Sequence, residues 1–202
     1  MNSTSTRKVW NKGKVVGQRR PFTREQVALL EQLLVAATPT DKMAVRNLAL
    51  LRTGIDTMLR VSDLLRLTVG QLRSNGRIVD QFELTQKKTK KPIRCNLTPF
   101  TRDALGKWLE VGGLYSHSLV VFDFGSRQYA RIIKGWAEMI HLDPSLYSTH
   151  SVRRTKAREI YRTTQNLEAI KTLLGHTSLN ATQYYLGVTQ EDADEIARNT
   201  RI

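Results

Sequence analysis

The sequence predicts a mainly α-helical protein with one small antiparallel β-hairpin, an α+β fold. Apolar residues recur at helical spacing in segment after segment, usually behind a residue able to cap a helix. Only Ile78–Leu84 and the alternation Ile93, Cys95, Leu97 read as strands, with a lysine-rich turn between them. No internal repeat interrupts the pattern. Taken in order, Thr23 and Gln26 fit a capping box ahead of Val27, Leu30 and Leu34, so folded structure is expected from Phe22. A second helix is expected from Lys42 through Arg52, with Gly54 as its stop. Ser62 is expected to cap a short helix burying Leu64, Leu65 and Leu67, with Arg60 just ahead of it. Thr98-Pro99 opens a helix carrying Leu105, Trp108 and Leu109, because proline suits the first helical position. Ser126 is expected to cap the next, whose stripe is Tyr129, Ile132, Ile133, Trp136, Met139 and Ile140. Thr149 opens another through Val152, Ile160 and Tyr161. Asn166 caps one through Ile170, Leu173 and Leu174 that stops at Gly175. The tail has acids near its start and Arg198 and Arg201 near its end, the order that suits a helix dipole.

Composition narrows the function. The 202 residues carry a formal charge of +14 with 40% hydrophobic residues, a folded globule biased toward polyanions. Cys95 is the only cysteine, which excludes a disulfide scaffold and a cysteine-built zinc site and points to a reducing compartment. No apolar run suits a membrane span or a secretory signal, and no basic segment has a broad apolar face, so a soluble, cytoplasmic, DNA-associated protein without a membrane partner is expected. Residues 1–21 hold Arg7, Lys8, Lys12, Lys14, Arg19 and Arg20 with no acid and no apolar period, and are read as a flexible basic arm. Two further clusters are Lys87, Lys88, Lys90, Lys91 and Arg94, and Arg153, Arg154, Lys156, Arg158 and Arg162. Such patches release counterions on binding nucleic acid; a face merely kept soluble by charge is the alternative.

The polar residues form an ordered constellation. His150 and Arg153 are three apart, share a helix face, and sit at a helix N-terminus, where backbone N–H groups favour phosphate. In sequence order come an arginine in Leu59-Arg-Val-Ser-Asp-Leu-Leu-Arg-Leu67, lysines in Gln86-Lys-Lys-Thr-Lys-Lys-Pro-Ile93, His150-Ser-Val-Arg153, Leu174-Gly-His176, and Thr182-Gln-Tyr-Tyr185. This order resembles the tyrosine recombinase (phage integrase) family from Phe22 to the end. The resemblance implies a tyrosine recombinase catalytic domain over 22–185 and a C-terminal tail, 186–202, for docking on a neighbouring subunit. It assigns the catalytic set to Arg60, Lys88, His150, Arg153, His176 and Tyr185. Lys87, Lys90 and Lys91 remain alternatives to Lys88, and the spacing from His176 favours Tyr185 over Tyr184. Met58 and Asp63 stand where the family has glycine and glutamate, and Arg154 where it frequently has histidine. With 21 residues ahead of the first helix, the chain resembles the short, catalytic-domain-only members such as fimbrial phase-variation invertases.

The residue types suit phosphodiester exchange. Arg60 and Arg153 offer planar forks that match phosphate oxygens bidentately, as a substitute for metal ions. Tyr185, with an ordinary phenol pKa near ~10, needs cationic surroundings or a base to act as a nucleophile. The resemblance implies that His150 assists proton movement, Lys88 protonates the leaving 5′-oxygen and His176 hydrogen-bonds the scissile phosphate. It implies site-specific recombination through a 3′-phosphotyrosine, for integration, excision or inversion, with no cofactor, on double-stranded DNA recombination sites. A homo-tetramer and accessory DNA-bending or directionality proteins are the implied partners. Arg19, Arg20, Lys87, Lys90, Lys91 and Arg154 are candidate DNA contacts, the arm in part replacing an absent clamp domain. A topoisomerase of type IB or a non-catalytic DNA-binding regulator would share the pattern. A metal-dependent nuclease would need acidic ligands that the sequence does not cluster.

Overall fold

The computed structural model describes residues 18–187 and Arg198; residues 1–17 and the remainder of 188–202, which hold most of the expected arm and tail, lie outside them. The elements run α1 (Arg24–Ala37), α2 (Lys42–Thr57), α3 (Val61–Leu64), α4 (Val69–Leu72), β1 (Arg73–Ser74), β2 (Arg77–Ile78), β3 (Gln81–Thr85), β4 (Pro92–Asn96), α5 (Pro99–Gly112), α6 (Ser126–Met139), α7 (Thr149–Thr164), α8 (Leu167–Leu174) and α9 (Leu179–Leu186). The Thr23–Gln26 capping box opens α1 as expected, with both of its hydrogen bonds made.

Helix α2 is the central post. It packs against α1, α5 and α7, and most of its circumference is buried, as a helix surrounded by others must be. Gly54 does not stop it. The helix continues through Thr57 and ends at Met58 in the left-handed conformation, φ 49°. Gly54 is instead a point of close approach, since a Cβ there would lie 2.9 Å from both the Tyr129 hydroxyl and Val152 Cγ1. The main core gathers Leu30, Leu50, Leu51, Leu64, Leu105, Phe122, Tyr129, Ile133 and Trp136 around this post. A second, smaller cluster joins Met58, Ala157, Ile170, Leu174 and Leu186 beneath α7, α8 and α9.

Several boundaries differ from expectation for local reasons. Arg60, not Ser62, is the N-cap residue of α3, its carbonyl accepting from the N–H groups of Asp63 and Leu64. Gly125 precedes α6 and Ser126 is its first helical residue. Met139 is exposed, so the α6 stripe ends one turn early on that side. The stretch 78–84 is broken into two pieces. Asn75 and Gly76, both at positive φ, make a two-residue turn that pairs β1 with β2, and only Gln81–Thr85 joins β4. Asn-Gly is a strong hairpin signal. The lysine turn does join β3 to β4, in the register Phe82↔Cys95 and Leu84↔Ile93, with those four side chains buried on one face.

Residues 18–21, placed in the arm on sequence grounds, lie against the domain. The Arg20 N–H donates to Leu146 O at 3.0 Å, and Phe22 is buried with its ring stacked 4.6 Å from that of Tyr147.

Candidate active site

The seam between the two clusters is polar, and its centre is a residue the sequence did not single out. Gln86, fully buried at the start of the lysine turn, accepts from Arg60 Nη1 at 2.9 Å and from the Thr89 hydroxyl at 2.6 Å. Its Nε2 donates to Leu174 O at 3.2 Å. That same carbonyl accepts from Arg153 Nη2 at 2.8 Å. One amide therefore ties together the helix entry carrying Arg60, the lysine hairpin and the end of α8, and a shared carbonyl adds Arg153. The contact is close enough to demand glycine next door. Gly175, at φ +62°, would put a Cβ within 2.8 Å of the Gln86 amide. Asp63, also fully buried, holds the hairpin tip by accepting the Lys87 N–H at 2.8 Å and pairs with Arg66 at 3.2 Å.

Around this frame the structure brings four of the six expected side chains together directly, and a fifth through Gln86. Tyr185 turns inward from α9, packed against the second cluster, while Tyr184 is 78% exposed. The Tyr185 ring centroid lies 5.2 Å from that of His176 and 6.4 Å from that of His150, with the Arg153 guanidinium 5.8 Å away. Arg60 reaches the group through Gln86. Lys88 is exposed on the hairpin, and its charge is among those that lower His150.

Electrostatics follow from crowding cations in a half-dry seam. Burial, and then Arg153 and Arg60, push His176 down to about 4. His150 is lowered by burial first and then by Arg153, Arg154, Arg60 and Lys88. Both imidazoles are therefore neutral at pH 7 and free to accept a proton. His176 Nδ1 lies 3.1 Å from the Thr182 hydroxyl. The Thr182 hydroxyl also lies 3.3 Å from Ser178 O, so its single proton goes to one acceptor or the other; where it goes to Nδ1, Nε2 carries the imidazole proton and can donate to a phosphate oxygen. Burial raises the Tyr185 phenol above its usual value, and Arg153 and Arg154 pull it back. Burial also lowers Arg153, to about 10, so it stays charged at neutral pH. Both arginines face the phenol, but the geometry of a hydrogen bond is not reached. Among the described residues, Tyr185 Oη and Arg153 Nη1 are buried polar atoms without a partner.

Other expectations change. Ser148 already caps α7, accepting from the His150 N–H at 3.2 Å and donating its own N–H to the Ser151 hydroxyl at 2.9 Å. The backbone at this helix start is thus partly occupied, and side chains rather than N–H groups line the seam. Arg154, expected as a surface DNA contact, is only 8% exposed and its guanidinium lies 4.7 Å over the Tyr185 ring. Arg19 and Arg20 are exposed at the edge of the seam, and Arg19 also bonds the Ser145 carbonyl through its side chain. Lys87, Lys90 and Lys91 are exposed on the hairpin. Among the described residues no group of three or more His, Cys, Asp or Glu is placed to hold a metal ion, and no helix is long and apolar enough to cross a membrane.

A half-buried tyrosine with its hydroxyl out of solvent, set among arginines and neutral imidazoles on a helical domain with a lysine hairpin, defines a tyrosine recombinase catalytic domain. The phage integrase family model matches residues 23–192, and the chain belongs to that family. It is 33% identical over 167 residues to the tyrosine recombinase XerD of Brucella suis, covering 77% of this chain and 53% of that protein. It is 27% identical over 187 residues to the tyrosine recombinase XerC of Neisseria gonorrhoeae, covering 90% of this chain and 59% of that protein. The chain thus spans little more than half the length of these curated relatives. Among solved structures, the fold is similar to that of XerA recombinase, with a TM-score of 0.70 at 18% identity over 92% of this chain and 67% of that one. It is equally similar to XerH recombinase bound to a palindromic difH substrate, with a TM-score of 0.70 at 19% identity over 91% and 54%.

Proposed function

We propose that this chain is a site-specific DNA recombinase that cuts and rejoins double-stranded DNA through a covalent tyrosine intermediate. The observation that carries the reading is the pair of buried, unpartnered atoms, Tyr185 Oη and Arg153 Nη1, in one seam between neutral imidazoles. A buried polar atom without a partner costs free energy, and a phosphate between these two would satisfy both. In this reading Arg60 and Arg153 bind the two non-bridging oxygens. His150 takes the phenol proton as Tyr185 Oη forms a bond to phosphorus. The bond from phosphorus to the 5′-oxygen breaks, and Lys88 donates a proton to that oxygen. His176, oriented by Thr182, hydrogen-bonds the phosphate. The product is a 3′-phosphotyrosine and a free 5′-hydroxyl, and attack by the 5′-hydroxyl of a second duplex reverses each step. Phosphoester is exchanged for phosphoester, so no energy source is consumed. Because Tyr185 lies among arginines of its own chain, delivery in cis is the arrangement supported. A homo-tetramer on two duplexes fits the reaction, which needs two cuts on each of two DNAs, and the family resemblance assigns the docking to 186–202. The relatives' shared description as tyrosine recombinases and the DNA substrate in the XerH structure support the same reading.

Covalent capture tests this. The protein is incubated with a library of duplexes randomised over the central segment and nicked once near the middle, and SDS-resistant protein–DNA adducts are collected and sequenced. A recovered consensus, with capture lost in Tyr185→Phe and unaffected by EDTA, is expected. Capture that persists in Tyr185→Phe would refute the assignment. Exchange of strands between two labelled duplexes separates recombination from relaxation of supercoils alone.

A further inference from the structure

The position after the proposed phosphate-binding arginine is occupied by a second arginine, and its environment is unlike that of a surface cation. Arg154 is 8% exposed. Its Nη1 donates to the Arg19 carbonyl at 2.9 Å, which fixes the plane of the guanidinium. Its Cζ lies 4.7 Å from the Tyr185 ring centroid, nearer than the 5.8 Å of Arg153. Its Nε is buried without a partner among the described residues. A cation meant to track the DNA backbone would stand in solvent with its donors free.

Resting on the strand-exchange reading, we propose that Arg154 is a positioning residue for the nucleophile: held by the Arg19 carbonyl against the face of the Tyr185 ring, it fixes the ring and meets the negative charge that grows as the phenol loses its proton. A guanidinium attracts the π face of a neutral phenol modestly and that of a phenolate much more. The interaction therefore strengthens along the reaction, which is the requirement for accelerating a step rather than merely binding its reactants. The groups facing Tyr185 are Arg153, Arg154 and His150 from α7 and His176 from the loop between α8 and α9. With both imidazoles neutral, the two arginines are the cations nearest the ring, and Arg153 is committed to Leu174 O and to the phosphate. The Arg19 contact has a second consequence. The segment that leads back to the basic N-terminal residues is tied to the nucleophile through one side chain, and Gln18 adds a bond from its side chain to the Tyr184 carbonyl.

The test uses the whole chain and two readouts. In the first, tyrosine labelled with 13C at Cζ is titrated by NMR without DNA, with Tyr185→Phe assigning the resonance. Arg154→Gln is expected to move the Tyr185 titration to higher pH, and Arg154→Lys to move it less. In the second, adduct formation is measured against pH over a range of concentrations, up to saturation, of a duplex recovered by covalent capture. Arg154→Gln is expected to lower the maximal rate about tenfold at neutral pH, with the deficit shrinking as pH rises and no change in KM. Three results would overturn the proposal: an unmoved titration, a deficit independent of pH, or a deficit confined to KM, the last marking an ordinary phosphate contact. Should Arg154→Gln fail to fold, Arg154→Lys decides, since loss of the guanidinium over the ring must still shift the titration upward. Absence of any adduct from the wild-type chain would defeat the strand-exchange reading, while the NMR titration would still decide whether Arg154 acts on Tyr185.

Discussion

Gly175→Ala offers a sharp probe of the frame that holds the arginines, because Gly113→Ala supplies its control. Both glycines end helices in the left-handed conformation, at φ +62° and +68°. An alanine in that conformation costs about 1–2 kcal/mol. At Gly113 a Cβ meets nothing within 4 Å, so that cost stands alone. At Gly175 the Cβ would lie 2.8 Å from both Nε2 and Oε1 of Gln86, inside any tolerable contact, and the amide is fully buried with nowhere to retreat. Moving it breaks the 2.9 Å bond from Arg60 and the 3.2 Å bond to Leu174 O. Leaving such buried groups unpaired adds about 1–3 kcal/mol. At about 2–4 °C per kcal/mol for a chain of this size, Gly113→Ala is expected to melt about 2–8 °C below wild type and Gly175→Ala distinctly lower. The separation should be larger in activity. Gly113→Ala keeps its rate of adduct formation once folded, whereas Gly175→Ala loses it by about tenfold or more because Arg60 loses its anchor. Equal melting temperatures and equal rates for the two variants would refute the reasoning that Gln86 is a rigid bridge.

Other consequences are separable. Gly54→Ala forces a methyl to within 2.9 Å of the Tyr129 hydroxyl and Val152 Cγ1, and overpacking of this kind costs about 1–3 kcal/mol; calorimetry should show a lower Tm, and an unchanged Tm would mean that α2 and α7 are not packed as described. His176 and His150 are held below their unfolded values by burial and neighbouring arginines. The unfolded chain therefore takes up protons first, near about pH 6.5, and stability should fall from there until His176 itself protonates at about 4. Urea midpoints at pH 7 and pH 5 should differ less in His176→Gln than in wild type, and equal differences would contradict the assignment. Thr182→Val removes the hydroxyl facing His176 Nδ1, and should lower the maximal rate of adduct formation while leaving duplex affinity within about twofold; a loss of affinity alone would place the histidine's role elsewhere.

Much of the architecture was legible because helix signals are local. The Thr23–Gln26 box, Pro99 after Thr98, and Asn166 with Gly175 each carry their own chemistry and lie where the sequence places them. The order of polar motifs was legible for the same reason, and the structure gathers Arg60, His150, Arg153, His176 and Tyr185 in one seam. Gln86 was not legible, since a glutamine beside four lysines looks like part of a solvated turn and only the tertiary meeting of hairpin, α3 and α8 buries it. Gly54 misled because a glycine near the end of an apolar period signals a stop, and the reason for this one lies on α6 and α7. Arg154 was read by its charge. Its place over the Tyr185 ring depends on Arg19, far away in sequence.

The most direct measurement is to digest the captured protein–DNA adduct with protease and nuclease and to locate the nucleotide-bearing peptide by mass spectrometry. A single modified residue is expected, Tyr185, joined to a 3′-phosphate, with a free 5′-hydroxyl on the released strand. Attachment at Tyr184, attachment through a 5′-phosphate, or cleaved DNA without any linked peptide would contradict it.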